Sequence, residues 1–250
     1  MGNTLAIVDL SSSPRSSEKL ARRLGGKPLV EWVVRQVTDC QLVDRVVVVA
    51  SKTKTGQAVA KLVPADVAVV RSNRGSVAGR CLDALGETGC DSVVRVACES
   101  PFLDPLWIDR LVVAAETGPD YVTYGCSEGR PSLLKSVGFF AEWCSVAVLE
   151  QVDRQASLPD ERAEIARFLF ARREKYALCL LPVPAELNRD DVRVKVDLEE
   201  DWEHAQVLFE AIGQEELSWP RIAELLDHQP GLRKRMAVLN RQEARAENRG

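Results

Sequence analysis

VVRVACESPFLD, from Val93 to Asp104, opens as a strand covered on both faces and closes on a carboxylate, Glu99, just ahead of Ser100-Pro101. An unpaired carboxylate is costly to bury, so the acid belongs at an open rim where the strand runs out. A second run, RVVVVAS from Arg45 to Ser51, is almost continuously β-branched, as a strand covered by helices on both faces requires. Strand-like and helix-like stretches alternate around these two. TLAIVDL (4–10), DVAVVRS (66–72) and YVTYG (121–125) read as further strands. Helical patterns occupy 28–38, 57–62 (closed by Pro64), 77–85 and 105–115. This βαβα order predicts an α/β fold with a mostly parallel, doubly wound sheet and right-handed crossovers.

After Gly125 the rhythm breaks. Helices are expected at 146–155 and 160–173, strands at 177–183 and 192–196, and a helix with an acidic first turn at 198–212. The tail from Leu217 reads as two helices parted by Pro230-Gly231, the second an exposed Arg/Glu-rich stretch from Arg233. The expected organisation is one α/β domain over residues 1–213, interrupted by a lobe at about 125–184, followed by a helical extension over 214–250.

Composition narrows the function. The chain has 250 residues, 46% of them hydrophobic, which is enough for a full core. A formal net charge of −4 argues against non-specific nucleic-acid binding, which needs a basic face. MGNTLAIVDL lacks a basic n-region and is not expected to be a signal peptide, and no stretch reaches the apolar length of a membrane span. Seven scattered cysteines without a CxxC fit reduced thiols in the cytoplasm. Only two histidines, His204 and His228, are present, which disfavours a zinc site or a histidine-based triad. His204 is expected on a solvated helix face, and Cys98 is expected to be a buried structural thiol.

In open parallel sheets, ligands bind beyond the carboxyl ends of the strands. Two features sit there. The loop LSSSPRSSEKL after the first strand offers Ser11, Ser12, Ser13, Arg15 and Lys19, donors and cations that suit a triphosphate. By composition alone it fits a solvated surface loop at least as well. Glu99 and Asp197 end the VVRVAC and VRVKV runs, and two acids at one edge can share Mg²⁺. The competing readings are a helix N-cap for Asp197 and, for Glu99, a turn acid paired with Arg95 or another cation. The pair with Arg95 is disfavoured by a separation of roughly 13 Å along an extended strand.

Taken together, these segments resemble the sugar cytidylyltransferases of the spore-coat polysaccharide type, related to the CMP-Kdo and CMP-sialate synthetases. The correspondence runs through L-S-S-S-P-R-S-S-E-K-L-A-R-R-L-G-G-K-P-L, V-V-R-V-A-C-E-S-P-F-L-D-P and V-R-V-K-V-D-L-E-E-D-W-E-H-A. The motifs are degenerate. Leu10 occupies the place of a phosphate-binding arginine, Ser16-Ser17 that of Leu-Pro, Glu99 that of the metal-binding aspartate and Glu164 that of a histidine; in R-S-N-R-G-S-V-A-G-R-C, Arg80 remains as the match. The resemblance implies a Rossmann-like sheet of the nucleotide-diphospho-sugar transferase type with an inserted dimerisation lobe. It also implies transfer of CMP from CTP to a sugar acid with release of pyrophosphate. Arg15 and Lys19 would then be catalytic. Ser11, Ser12, Ser13, Arg15, Lys19 and Arg80 would bind nucleotide, and Glu99 and Asp197 would hold Mg²⁺. Expected partners are CTP (or another NTP), an acidic sugar and a second copy of the chain, with neither nucleic acid nor membrane. The alternative is a non-catalytic relative that keeps a nucleotide pocket and serves as a partner subunit.

Overall fold

The structure, a computed structural model, describes residues 2–11, 17–86, 88–125, 131, 137–138, 141–214 and 216–247. Its strands are β1 (Thr4–Asp9), β2 (Arg23–Leu24), β3 (Lys27–Pro28), β4 (Arg45–Ala50), β5 (Ala68–Arg71), β6 (Ser92–Ala97), β7 (Tyr121–Gly125), β8 (Glu142–Ser145) and β9 (Leu178–Pro182). Its helices are α1 (Ser17–Leu20), α2 (Leu29–Thr38), α3 (Lys54–Ala60), α4 (Val77–Leu85), α5 (Pro105–Ala115), α6 (Val146–Gln155), α7 (Pro159–Ala163), α8 (Ile165–Phe170), α9 (Glu199–Ile212), α10 (Trp219–His228) and α11 (Pro230–Glu247).

Seven strands form one sheet in the order β5-β4-β1-β6-β8-β7-β9. Every neighbouring pair is parallel except those made by β8, which runs antiparallel to both β6 and β7. All six residues of β1 are buried. Alternate strand residues feed two layers. Ala6, Val8, Val48, Val94 and Val96 face α2, α5, α9, α10 and α11, while Leu5, Ile7, Val47, Val49 and Val93 face α4, α6 and α8. This two-sided cover is why the strands read as unbroken apolar runs.

From β1 the chain winds outward through β4 to β5, then returns to place β6 on the other side of β1. The winding reverses between β1 and β6, and in such sheets the crevice beyond the carboxyl ends at that reversal receives the ligand. Asp9-Leu10-Ser11 and Cys98-Glu99 lie at those two ends.

Several elements differ from the sequence expectation. β8 reads EWCS and has no apolar run; its Glu142 is buried by pairing with Arg95, Nε to Oε1 at 2.7 Å, and with the Tyr121 hydroxyl at 2.6 Å. Val192–Val196 is not a ladder strand: its N–H groups bond singly, Val194 to the Val137 carbonyl and Val196 to the Glu99 carbonyl. The helix expected over 160–173 is broken at Glu164, whose φ of −144° and ψ of 118° separate α7 from α8. Gly25-Gly26 precedes α2 as the turn of the β2–β3 hairpin, with φ of 56° and 84°. Two consecutive positive φ values suit a tight hairpin turn that glycine supplies without strain. α11 is not simply an exposed charged helix, because Leu232, Met236 and Leu239 are buried.

Candidate functional site at the carboxyl edge of the sheet

β1 leaves the sheet through Leu10, whose N–H donates to the Val49 carbonyl, and Ser11, whose N–H donates to Asp9 Oδ1 at 3.0 Å. Ser11 Oγ is buried without a hydrogen-bond partner among the described residues. Ser12, Ser13 and Arg15 lie outside those residues.

Arg80, on α4, is turned toward β1. Its Nε lies 3.2 Å from both Asp9 oxygens, and its Nη2 donates to Oδ2 at 2.7 Å. Both partners are buried, at 8% and 1% exposure. The sequence signal for Asp9 was its place at the end of an apolar strand, the same placement that draws attention to Glu99.

β6 ends at Ala97, and the turn that follows carries Cys98, fully buried, and Glu99, 9% exposed. The Glu99 carbonyl accepts the Val196 N–H at 2.8 Å, which fastens the 192–197 segment against this turn. Asp197 follows directly. Its backbone carbonyl accepts the Lys19 ammonium. Lys19, Glu99 and Asp197 therefore come together from three distant parts of the chain, at the edge where β1 and β6 diverge.

Neither the N-cap reading of Asp197 nor an Arg95 pair for Glu99 holds, whereas the charge of another cation, Lys195, does act on Glu99. Arg95 is engaged by Glu142, not Glu99. The N-cap of α9 is Leu198, and Asp201 caps the helix entrance, accepting the N–H groups of Asp197 at 3.0 Å and Leu198 at 2.8 Å. The Asp197 side chain is not the cap.

Burial pushes the Glu99 carboxyl above its usual range, and the charge of Asp197 pushes it the same way, with Lys195 acting in the opposite sense. A neighbouring carboxylate that raises the proton affinity of Glu99 is what a site short of positive charge shows. The donor set is all oxygen, and Mg²⁺ takes one or two protein carboxylates, completing its shell with phosphate oxygens and water. Among the described residues no group of three or more His, Cys, Asp or Glu side chains gathers that could hold a metal ion.

Sequence reasoning missed the layer behind this edge. Arg193, with no exposed side-chain surface, forks onto Asp201 at 2.5 and 2.9 Å and also donates to Glu243 of α11. His204 is buried at 3% exposure, not solvated, and burial lowers its proton affinity. On this helix Asp201 is paired internally with Arg193, while the buried His204 Nδ1 has no hydrogen-bond partner among the described residues.

The family model for cytidylyltransferases matches residues 11–157, a span that includes Lys19, Arg80 and Glu99 but stops short of Asp197. No curated protein sequence matches the chain. A cytidylyltransferase structure from Leptospira borgpetersenii superposes with a TM-score of 0.77 at 21% identity, covering 92% of this chain and 95% of that one. Rv0371c from Mycobacterium tuberculosis in complex with manganese superposes at 0.59 and 13% identity, over 83% and 99% of the two chains. A CMP:2-keto-3-deoxy-manno-octonic acid synthetase complexed with CTP superposes at 0.56 and 12% identity, over 84% and 98%.

Proposed function

This chain belongs to the cytidylyltransferase family, and from that premise we propose that it transfers CMP from CTP to a sugar acid, releasing pyrophosphate. The observation that carries the reading is the convergence of Lys19, Glu99 and Asp197 beyond the β1–β6 reversal. A sugar hydroxyl oxygen forms the new bond to the α-phosphorus, and the bond from that phosphorus to the β-phosphate oxygen breaks. The leaving group is pyrophosphate, and the hydroxyl proton passes to solvent. Such a displacement needs positioning and charge neutralisation more than a nucleophilic side chain. Lys19 holds phosphate with one charge-assisted bond, and Arg15 and the serines of the same loop supply further donors. Arg80, braced by Asp9, presents a fixed positive edge beside the end of β1. Glu99 and Asp197 would hold Mg²⁺, which supplies charge neutralisation of the triphosphate when bound. The sugar-acid acceptor is supported by the name of the synthetase that shares the fold and by the motif resemblance.

The same reading places the enzyme in the cytoplasm, serving surface polysaccharide assembly, with free thiols at Cys40, Cys81, Cys90, Cys144 and Cys179. It also includes a homodimer formed through the 125–184 segment. Leu133, Leu134, Phe139 and Phe140, the apolar residues expected to pair two subunits, lie outside the described residues, while Val137 is buried. Leu158 in that segment stays 59% exposed. Light scattering at micromolar concentration should give twice the chain mass, and a monomer would remove the dimer.

Calorimetry with Mg²⁺ and each of the four nucleoside triphosphates tests the nucleotide. CTP should bind and the other three should bind more weakly; binding of none would overturn the proposal. A non-catalytic relative is the second reading, favoured by one observation: Glu99 is buried with a raised proton affinity, which weakens it as a metal ligand. CTP binding without turnover would select it.

A further inference from the structure

We propose that Glu243, on the last helix, is a positioning residue for the nucleotide edge: it holds Arg193 and Lys195 so that Asp197 and Glu99 stay placed for a divalent cation bound with CTP. This rests on the function proposed above. It assigns a role in the site to a helix that lies outside the span matched by the family model.

One carboxylate serves two cations. Glu243 Oε2 accepts from Arg193 Nη1, and Oε1 accepts from Lys195 Nζ at 2.6 Å. Each cation leads to the site by its own route. Arg193 grips Asp201 with two bonds, and Asp201 Oδ2 accepts the N–H groups of Asp197 and Leu198. Two ionic links, the one to Glu243 half-buried and the one to Asp201 fully buried, therefore separate the last helix from the backbone of a candidate metal ligand. Lys195 stands two residues before Asp197 in an extended segment, a spacing that puts both side chains on one face. Its charge reaches the Glu99 carboxyl.

The 192–197 segment has no ladder to hold it, so its backbone groups must be satisfied elsewhere. α11 does part of that. Asn240 Nδ2 donates to the carbonyls of Asp190 at 2.8 Å and Val192 at 3.0 Å. Asn240 and Glu243 are three residues apart and share a helix face. The face that fixes the segment's backbone thus also fixes its two cations. Without the Glu243 charge, the Lys195 ammonium turns to the next negative field, that of Glu99 and Asp197, and competes there with a divalent cation.

The test is Mn²⁺ binding followed by electron paramagnetic resonance on the full chain with saturating CTP. Glu243→Gln should raise the Mn²⁺ midpoint by about tenfold, the size of one redirected charge-assisted contact. Adding Lys195→Met in that background should return the midpoint close to wild type, because the liberated cation is gone. Arg233→Ala provides the structural control. It removes the α11 ion pair to Asp191, 2.5 Å long, without touching Arg193 or Lys195. It should lower the melting temperature and leave the midpoint in place. An unchanged midpoint in Glu243→Gln, or failure of Lys195→Met to restore it, would overturn the positioning role while the nucleotide reading stands. Wild-type protein that binds neither CTP nor Mn²⁺ would overturn the nucleotide reading itself. Should Glu243→Gln fail to fold, Lys195→Met alone decides: the midpoint should tighten, and weakening refutes the proposal.

Discussion

Replacing Arg193 by Met should destabilise the protein by about 3 kcal/mol, although the side chain contacts no proposed substrate. Arg193 and Asp201 have no exposed side-chain surface. Breaking a buried pair by removing one partner costs about 3–5 kcal/mol, because the other charge stays buried without compensation. The lower end applies here, since Asp201 keeps the backbone N–H groups of Asp197 and Leu198. Glu243, the other partner, is 30% exposed and can rehydrate. Met retains the apolar stem, so packing loss contributes little. For a chain of this length each kcal/mol moves the melting midpoint by roughly 2–4 °C, giving a drop of roughly 6–12 °C by calorimetry. Arg35 offers the contrast. It also forks onto an aspartate, Asp66, at 2.7 and 2.9 Å, but the pair is largely exposed. Arg35→Ala should lower the midpoint by only a small part of that shift, because water and salt screen exposed pairs. Equal shifts for the two variants, or a change below about 1 kcal/mol for Arg193→Met, would refute the reasoning from burial.

Lys19→Ala should weaken CTP binding by roughly 1.5–3 kcal/mol, the value of one hydrogen bond to a charged group; unchanged calorimetric affinity would remove Lys19 from phosphate contact. The raised proton affinity of Glu99 sets a pH dependence with a definite sign. Between its unfolded value of about 4.3 and its higher folded value, the native state binds more protons than the unfolded chain, so this group's contribution to stability falls as pH rises. Glu99→Gln should flatten that part of the melting-temperature profile, and an unaltered slope would mean that another group titrates. Glu99→Asp shortens the side chain by one methylene, toward the residue found in the resembling family; it should raise the initial rate of pyrophosphate release, and no gain in a folded, CTP-binding variant would favour the non-catalytic reading.

Much of the sheet was readable because burial on both faces writes itself as unbroken apolar runs. TLAIVD, RVVVVA and SVVRVA all appear as strands at those places. β8 left no such trace, since its Glu142 is satisfied by Arg95 and Tyr121, partners 47 and 21 residues away. No local pattern reports such a pairing. Val192–Val196 misled in the other direction. Its alternating Val residues are buried against the core, yet the neighbours it bonds to are a turn and a loop, so the pattern of a strand appears without a ladder. At the site, Glu99 and Asp197 were legible as acids ending apolar runs. The Arg193–Asp201–Glu243 brace was not, because alternating charge in sequence looks the same whether solvated or internally paired. His204 was misplaced because nothing in DWEHAQ reports that this face of the helix packs inward, where the ring is buried with its Nδ1 unpartnered among the described residues.

The central claim is that the edge between β1 and β6 moves a cytidylyl group. CTP labelled at the α-phosphate, supplied with Mg²⁺ and a panel of sugar acids, tests it directly. The labelled phosphorus should appear in a new CMP-sugar in step with pyrophosphate release, with both lost in Lys19→Ala. CTP that stays intact with every acceptor, or hydrolyses equally fast in the variant, would contradict the account.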